Sequence, residues 1–462
     1  MKGSFERGVV KLKGDSLAYY RLSGALFVFA VAALAPLAAS AQASPSPSPS
    51  PAPMMNPATS ASPAPAASGS PSPSPAPTAP PHLFVLQGYG DASYSSLDDS
   101  PAARFTTGGP SRVFDTSVGP FFDSNSGRQL ESASDFNQTF DLQNANVQLN
   151  ITDGNLGGKI EGSFGTDADV IASNGQSRSG VNLTQSYLQY AFGPLTLLAG
   201  KFETLAGAEV IESPSDTNFT RSYLFGYAVP FTHTGARLTY AYNSKISLVA
   251  GLNNGWDDWK FAGKKKTLEG GLLLTPSPGW ALTLDTYNGN DFALSGVPPQ
   301  NVTLADGTAT VIPGILPLYT DRRLYDGVLT LHPTGALTVI ANYDNGQQLG
   351  SGAANGQPAF TAAQWVGIAG YLNYQLNSLY SVSLRKETFN DKEGFRTGIV
   401  QRLQSNTATL SYAPGKYIFR AEYRQDISDG NNFTYTGAGL IGSPLGRPDE
   451  SSLSLEMILK LQ

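Results

Sequence analysis

The sequence contains no cysteine, only three histidines, and few charges. Without cysteine there are no disulfides and no thiolate metal ligands. The histidines, His82, His233 and His332, are too scattered to write a metal-binding motif, and no cofactor signature replaces them. Charged residues make up 14% of the chain, against about 25% in an ordinary soluble domain. A net charge of -6 leaves no basic surface of the kind nucleic-acid binding needs. Beyond residue 42 there is also no apolar run near the ~20 residues of a membrane helix. Glycine and aromatics fill the gap: Gly 49, Tyr 21 and Phe 23.

The N-terminal segment has the order of a targeting signal. Lys2, Arg7, Lys11, Lys13 and Arg21 precede an apolar stretch at 22–37, and Ala39-Ser40-Ala41 is a small-x-small cleavage site. Residues 1–41 are therefore expected to be a signal peptide, removed before Gln42. Residues 42–82 are rich in Ser, Pro and Ala, with an alternating Ser-Pro run at 44–49 that returns at 70–75. Proline fixes φ and removes backbone donors, so this segment is expected to be an extended, disordered periplasmic linker. At ~3.1 Å per residue it would reach on the order of 100 Å. A spacer is the simpler reading; a cell-wall tether is the sharper one.

From Phe140 onward the pattern is a period of two. Ala145, Val147, Leu149 and Ile151 alternate with Asn146, Gln148 and Asn150. Near the end Leu453, Leu455, Met457, Leu459 and Leu461 alternate with Ser454, Glu456 and Lys460. Such strands have one apolar and one polar face. A soluble sandwich alternates too, so the connections must decide. Tight turns occur at Thr152-Asp153-Gly154-Asn155, Gly193-Pro194, Asn243-Ser244-Lys245, Pro276-Ser277-Pro278-Gly279, His332-Pro333-Thr334-Gly335, Asn377-Ser378 and Pro414-Gly415. Between them lie long polar stretches at 95–138, 168–180, 206–230, 257–266, 290–322, 347–360, 390–401 and 428–450. Short turns alternating with long loops are the rule of outer-membrane barrels. The expected fold of 83–462 is a transmembrane antiparallel up-and-down β-barrel of about 16 strands. Alternation is poor at 83–94 and 365–374.

If apolar residues face lipid, the inward set includes Lys159, Glu161, Lys201, Glu203, Arg237, Glu269, Asp285, Asp326, Asp344, Arg385, Glu387, Arg420, Glu422, Arg424, Glu456 and Lys460. A cation facing the bilayer midplane would cost ~2–4 kcal/mol. Several inward charges alternate in sign two residues apart. They read either as ion-pair ladders or as a transverse field that orients polar solutes. With signs nearly balanced, charge selectivity should be weak. The third long loop mixes apolar Val210, Ile211, Leu224 and Phe225 with Glu209, Glu212, Asp216 and Arg221. This suggests a loop folded into the lumen. Its apolar residues would grip the wall and its charges would face the solute at a constriction. Lying over the rim or on a neighbouring subunit is the alternative.

Between Leu183 and Asp257 the chain resembles the OmpL-like family of β-barrel porins. The residues that carry this are Leu183-Thr184-Gln185-Ser186-Tyr187-Leu188-Gln189-Tyr190, Gly200-Lys201-Phe202-Glu203-Thr204, Ala208-Glu209-Val210-Ile211-Glu212, Asn218-Phe219-Thr220-Arg221-Ser222, Gly226-Tyr227-Ala228-Val229-Pro230-Phe231-Thr232-His233-Thr234-Gly235 and Asn253-Asn254-Gly255-Trp256-Asp257. The resemblance implies an outer-membrane barrel of a diderm bacterium that acts as a porin. The chain departs from many outer-membrane barrels in ending Leu461-Gln462 rather than in an aromatic residue.

The function expected is passive diffusion of small hydrophilic solutes through a water-filled lumen, without catalysis. The partners would be outer-membrane lipid, the solutes and, in a homo-oligomer, further copies of the chain. A filled lumen would favour the alternative, a non-conducting barrel that binds a partner or anchors the cell wall. A third reading, a hydrolase centred on His233, would need a Ser and a carboxylate beside that ring.

Overall fold

In the computed structural model, the described residues are 84–97, 122–123, 128–129, 139–173, 176, 179–260, 265–294, 300–303, 309–312, 318–349, 362–397, 400–429 and 449–461. The signal peptide and the linker expected at 1–82 lie outside them. The two-residue periodicity becomes long strands: β1 (Phe84–Leu97), β2 (Thr139–Asp153), β3 (Leu156–Phe164), β4 (Val181–Phe192), β5 (Leu195–Glu203), β6 (Thr232–Asn243), β7 (Ile246–Asn253) and β8 (Thr267–Ser277). They continue as β9 (Trp280–Leu294), β10 (Leu318–Thr334), β11 (Leu337–Leu349), β12 (Ala362–Gln375), β13 (Tyr380–Asp391), β14 (Gln401–Tyr412), β15 (Tyr417–Ser428) and β16 (Asp449–Leu461). Each pairs antiparallel with its sequence neighbours, and β1 pairs with β16 to close the barrel. Closure leaves no sheet edge unpaired in lipid.

Every expected tight turn is present at one end of the barrel, and the strand ends that the long connections join are at the other. Two of the long connections carry small hairpins, Gln300–Thr303 with Ala309–Ile312 and Phe122–Asp123 with Arg128–Gln129. Gly193 and Gly415 take positive φ in their turns, where a side chain would be strained. The outer face is apolar, with Leu188, Leu248, Leu268, Ile368, Leu410 and Leu455 all exposed. Near the short turns, aromatic rings pair into a girdle: Tyr380 and Tyr412 have centroids 4.8 Å apart, and Tyr412 and Phe419 6.1 Å. Such girdles mark the membrane–water interface.

The inner face is not uniformly polar. On β12 the buried inward residues are Ala363, Trp365, Gly367, Ala369 and Tyr371. This explains the poor alternation at 365–374. That wall packs against protein rather than water, so both of its faces are apolar.

Candidate functional site

The protein that β12 packs against is L3, the third long loop (204–231). It leaves β5 and returns to β6, with the Thr204 amide donating to the Phe231 carbonyl at 3.0 Å. In between it enters the barrel and crosses to the opposite wall. At its root, Leu205 N donates to the Tyr287 hydroxyl on β9 at 3.1 Å, and Ala208 N to Asn342 Oδ1 on β11 at 3.2 Å. Further along, Trp365 Nε1 donates to the Ala228 carbonyl at 3.1 Å.

The main docking plate is β13–β15. Arginines there donate to loop carbonyls: Arg424 to Arg221 O at 2.7 Å and Arg420 to Ser213 O at 3.1 Å. Glutamates there accept loop amides. Glu422 accepts from Phe219 N at 2.7 Å and Thr220 N at 3.0 Å, and Glu387 accepts from Tyr223 N. L3 has little regular structure beyond a 3-10 turn (Ser213–Ser215) and a π-helical turn (Leu224–Ala228). Its buried backbone groups need partners, and charged wall side chains supply strong ones.

Two apolar clusters complete the seat. Leu224, Tyr223 and Tyr227 pack with Trp256, Trp365, Phe389 and Phe395. Ile211, Phe219, Phe225 and Phe231 pack with Ile171, which follows the short helix α1 (Thr166–Val170) of the second long loop. Gly367 on β12 explains one contact. A Cβ on Gly367 would come within 2.6 Å of Leu224 Cγ, so only glycine leaves room for that side chain.

The expected constriction residues are brought together, but not in the expected roles. Glu209 pairs with Arg385 at 2.8 Å and caps Ser222, accepting from its amide at 2.7 Å. Arg221 is fully buried, pairs with Asp216 at 2.6 Å and donates to the Val210 carbonyl at 2.9 Å. Both belong to the anchorage rather than to a surface that meets solute. Charges, and not the apolar residues alone, hold the loop to the wall, because its backbone dipoles need them. Burial raises the Asp216 carboxyl from 3.8 to about 7, with Arg221 opposing. The charged partners Asp216 and Glu209 outweigh burial at Arg221 and raise its guanidinium. Glu212 lies apart from this group and pairs with Lys159 on β3 at 3.0 Å.

The inward charges follow the same logic. Lys159–Glu161 pair at 2.6 Å, Arg385–Glu387 at 3.4 Å, Arg237–Glu269 at 2.7 Å and Arg420–Glu456 at 2.6 Å. On β13–β15 the ladder of Arg385, Glu387, Arg420, Glu422 and Arg424 is buried beneath L3 and grips the loop. Lys201 departs from the lumen set. It donates to Gln176 Oε1 of the second long loop at 2.7 Å and to the Leu183 carbonyl at 2.8 Å, with the Trp259 ring 5.8 Å away. Its ammonium is held there by neutral acceptors. Asp285, Asp326 and Asp344 stand directly opposite one another across β9–β11 and are buried. Lys460 sits half-buried at the short-turn end of β16.

His233 does not build a triad. Its ring stacks on Tyr287 with centroids 4.7 Å apart, its Nδ1 lies 3.1 Å from the Gly255 carbonyl, and its Nε2 has no partner among the described residues. Among the described residues no Ser or Thr hydroxyl bonds the ring. Several anchoring residues left no sequence signal of their own. Tyr89 accepts from Ser213 N, Asp257 from Phe231 N and Thr232 N, and Asp391 from Phe395 N, Arg396 N and Thr397 N. Only their inward or loop-end positions could have suggested them.

A closed 16-strand antiparallel barrel with a lipid-type outer face and an internal third loop defines an outer-membrane porin. More narrowly, the chain belongs to the family described as "Putative beta-barrel porin-2, OmpL-like", whose model matches residues 116–461. Its fold is similar to that of the outer membrane channel DcaP of Acinetobacter baumannii, at 12% identity, covering 82% of this chain and 97% of that one with a TM-score of 0.52. It is also similar to an anion-selective porin from Comamonas acidovorans, at 10% identity, covering 82% and 99% with a TM-score of 0.50. No curated protein matches the chain in sequence. The protein is an outer-membrane porin, a passive channel for small hydrophilic solutes.

Proposed function

We propose that solutes pass between L3 and the β3–β5 wall, at a constriction lined by Lys159, Glu203 and Glu212, with the buried Glu161 carboxylate paired behind Lys159. The observation that carries this is the one-sided seat of L3. Inward side chains on β13–β15 are buried beneath the loop, whereas Lys159, Tyr187 and Glu203 on β3–β5 keep a minor exposed part, 13% for the Lys159 side chain. Three carboxylates against one ammonium make this gap negative, so selectivity is weak and leans toward cations. The barrel carries solutes and performs no catalysis. Outer-membrane lipid covers its apolar face, and a homo-oligomer would cover part of that face. The linker lies in the periplasm within reach of the cell wall.

A second reading has support as well. The inner clusters that seat L3 also include Trp256 of the fourth long loop and Phe395 of the seventh, so the lumen is heavily filled at this level. On that reading the barrel is shut, or serves as a binding or anchoring protein. Purified full-length protein in a planar bilayer separates the two. The proposal expects steady small-conductance channels whose reversal potential in a salt gradient shifts modestly toward cations. The second reading expects correctly inserted protein that does not conduct.

A further inference from the structure

The wall opposite the docking plate carries charges that the seating of L3 does not explain. One oxygen from each of Glu161, Glu203 and Glu212 lies within 4.8 Å of the other two. The three come from separate elements: β3, β5 and L3. Gln185 Nε2 holds two of them in place, donating to Glu161 Oε2 at 2.7 Å and Glu203 Oε1 at 2.9 Å. Asn146 Nδ2 donates to Glu161 Oε1 at 2.7 Å. Lys159 is the cation that faces the group, 2.6 Å from Glu161 and 3.0 Å from Glu212.

With all three carboxylates ionised, one ammonium leaves two negative charges unbalanced. A second observation points to what is missing. Glu212 is only 8% exposed, and among the described residues its Oε2 meets no donor. L3 therefore carries a buried, half-satisfied carboxylate up to two others that the wall already holds in position. Leaving such a group unpaired is costly. The donor set is all oxygen, without His or Cys, which suits a hard cation. Mg²⁺ demands a near-ideal octahedron at about 2.1 Å and keeps several of its waters, whereas Ca²⁺ accepts carboxylates from separate elements in a more flexible shell.

We infer that Glu161, Glu203 and Glu212 form a Ca²⁺ site that ties L3 to the β3–β5 wall. Lys159 swings aside on its flexible stem when the ion enters, and the ion brings the net charge of the three carboxylates close to zero. The site deepens the proposed constriction and rests on the reading that solutes pass on this side of L3. An ion there would close or narrow that passage and remove its cation preference.

The test has two readouts, so that its failure is separable from failure of the passage. The first is equilibrium dialysis of the detergent-solubilised full chain against ⁴⁵Ca²⁺, which does not depend on conduction. The expected result is saturable binding that is weakened about tenfold or more in the E203Q/E212Q variant, because carboxylate charge sets Ca²⁺ affinity. The control D153N, in an exposed turn at the other end of β2, should bind as the native chain does. The second readout is conductance before and after Ca²⁺ is added and then chelated. Native channels should lose conductance reversibly, and E203Q/E212Q channels should not. Equal binding by the native chain and E203Q/E212Q, or no binding by either, overturns the site whatever the conductance. Binding without any channel retains the site and rejects the passage.

Discussion

Arg385 holds more than one partner in place at once. It is bonded to Glu209, Glu387, Thr407, the Thr220 and Arg221 carbonyls and the Thr220 hydroxyl. Arg385→Ala would leave Glu209 buried without its cation and Glu387 with only the longer Arg424 contact at 3.8 Å. Breaking a buried pair in this way costs about 3–5 kcal/mol. Thermal unfolding of the detergent-solubilised barrel should show the loss, with faster proteolysis within L3. Asp216 offers a pH test. Its carboxyl rises from 3.8 unfolded to about 7 folded, so the folded state holds the proton more tightly. That contribution to stability is complete below pH 3.8 and is lost as pH rises through about 7. Unfolding temperatures of the native chain should therefore fall across this window relative to Asp216→Asn, which has no such proton to lose. Parallel profiles would contradict the assignment. The inward position of Arg385 was legible from alternation alone. Its role was not, because alternation tells which face a residue occupies and not which distant segment comes to meet it.

Among elements, β12 shows where pattern reading weakens. A strand between lipid and water writes its two faces in different alphabets. A strand between lipid and a packed loop does not, and Ala363, Trp365, Gly367 and Ala369 therefore look like no barrel strand in particular. The strand was still recoverable from its turns, since Asn377-Ser378 on one side and a long loop on the other fixed its place. L3 was legible as an inward loop because it carries apolar residues that solvent would not favour. Which of its residues touch the wall was not legible, because that depends on the loop's own path. Gly367→Val tests this element. Its added carbons would occupy the space of Leu224, lifting this part of L3 from the wall. Hydrogen exchange at 223–228 should quicken, with the strands of the barrel unchanged. Unaltered exchange there would mean that Leu224 is not seated on Gly367.

At the scale of the whole molecule, strand number and topology were readable because each hairpin announces itself with turn chemistry and each long loop with polarity. Closure follows from the even count and from the need to pair every edge in lipid. What the lumen contains was the unread part. A barrel of 16 strands has room for a channel, and whether it conducts depends on what occupies it. The central claim is that L3, inside the barrel, sets the passage. The measurement that tests it is single-channel conductance of the native chain beside a variant in which 209–223 are replaced by a short Gly-Ser link, both shown by heat-modifiable migration to be folded. The account predicts a clear rise in conductance on shortening, with weaker dependence on charge. Equal conductance of the two folded proteins would place L3 outside the solute path and contradict the account.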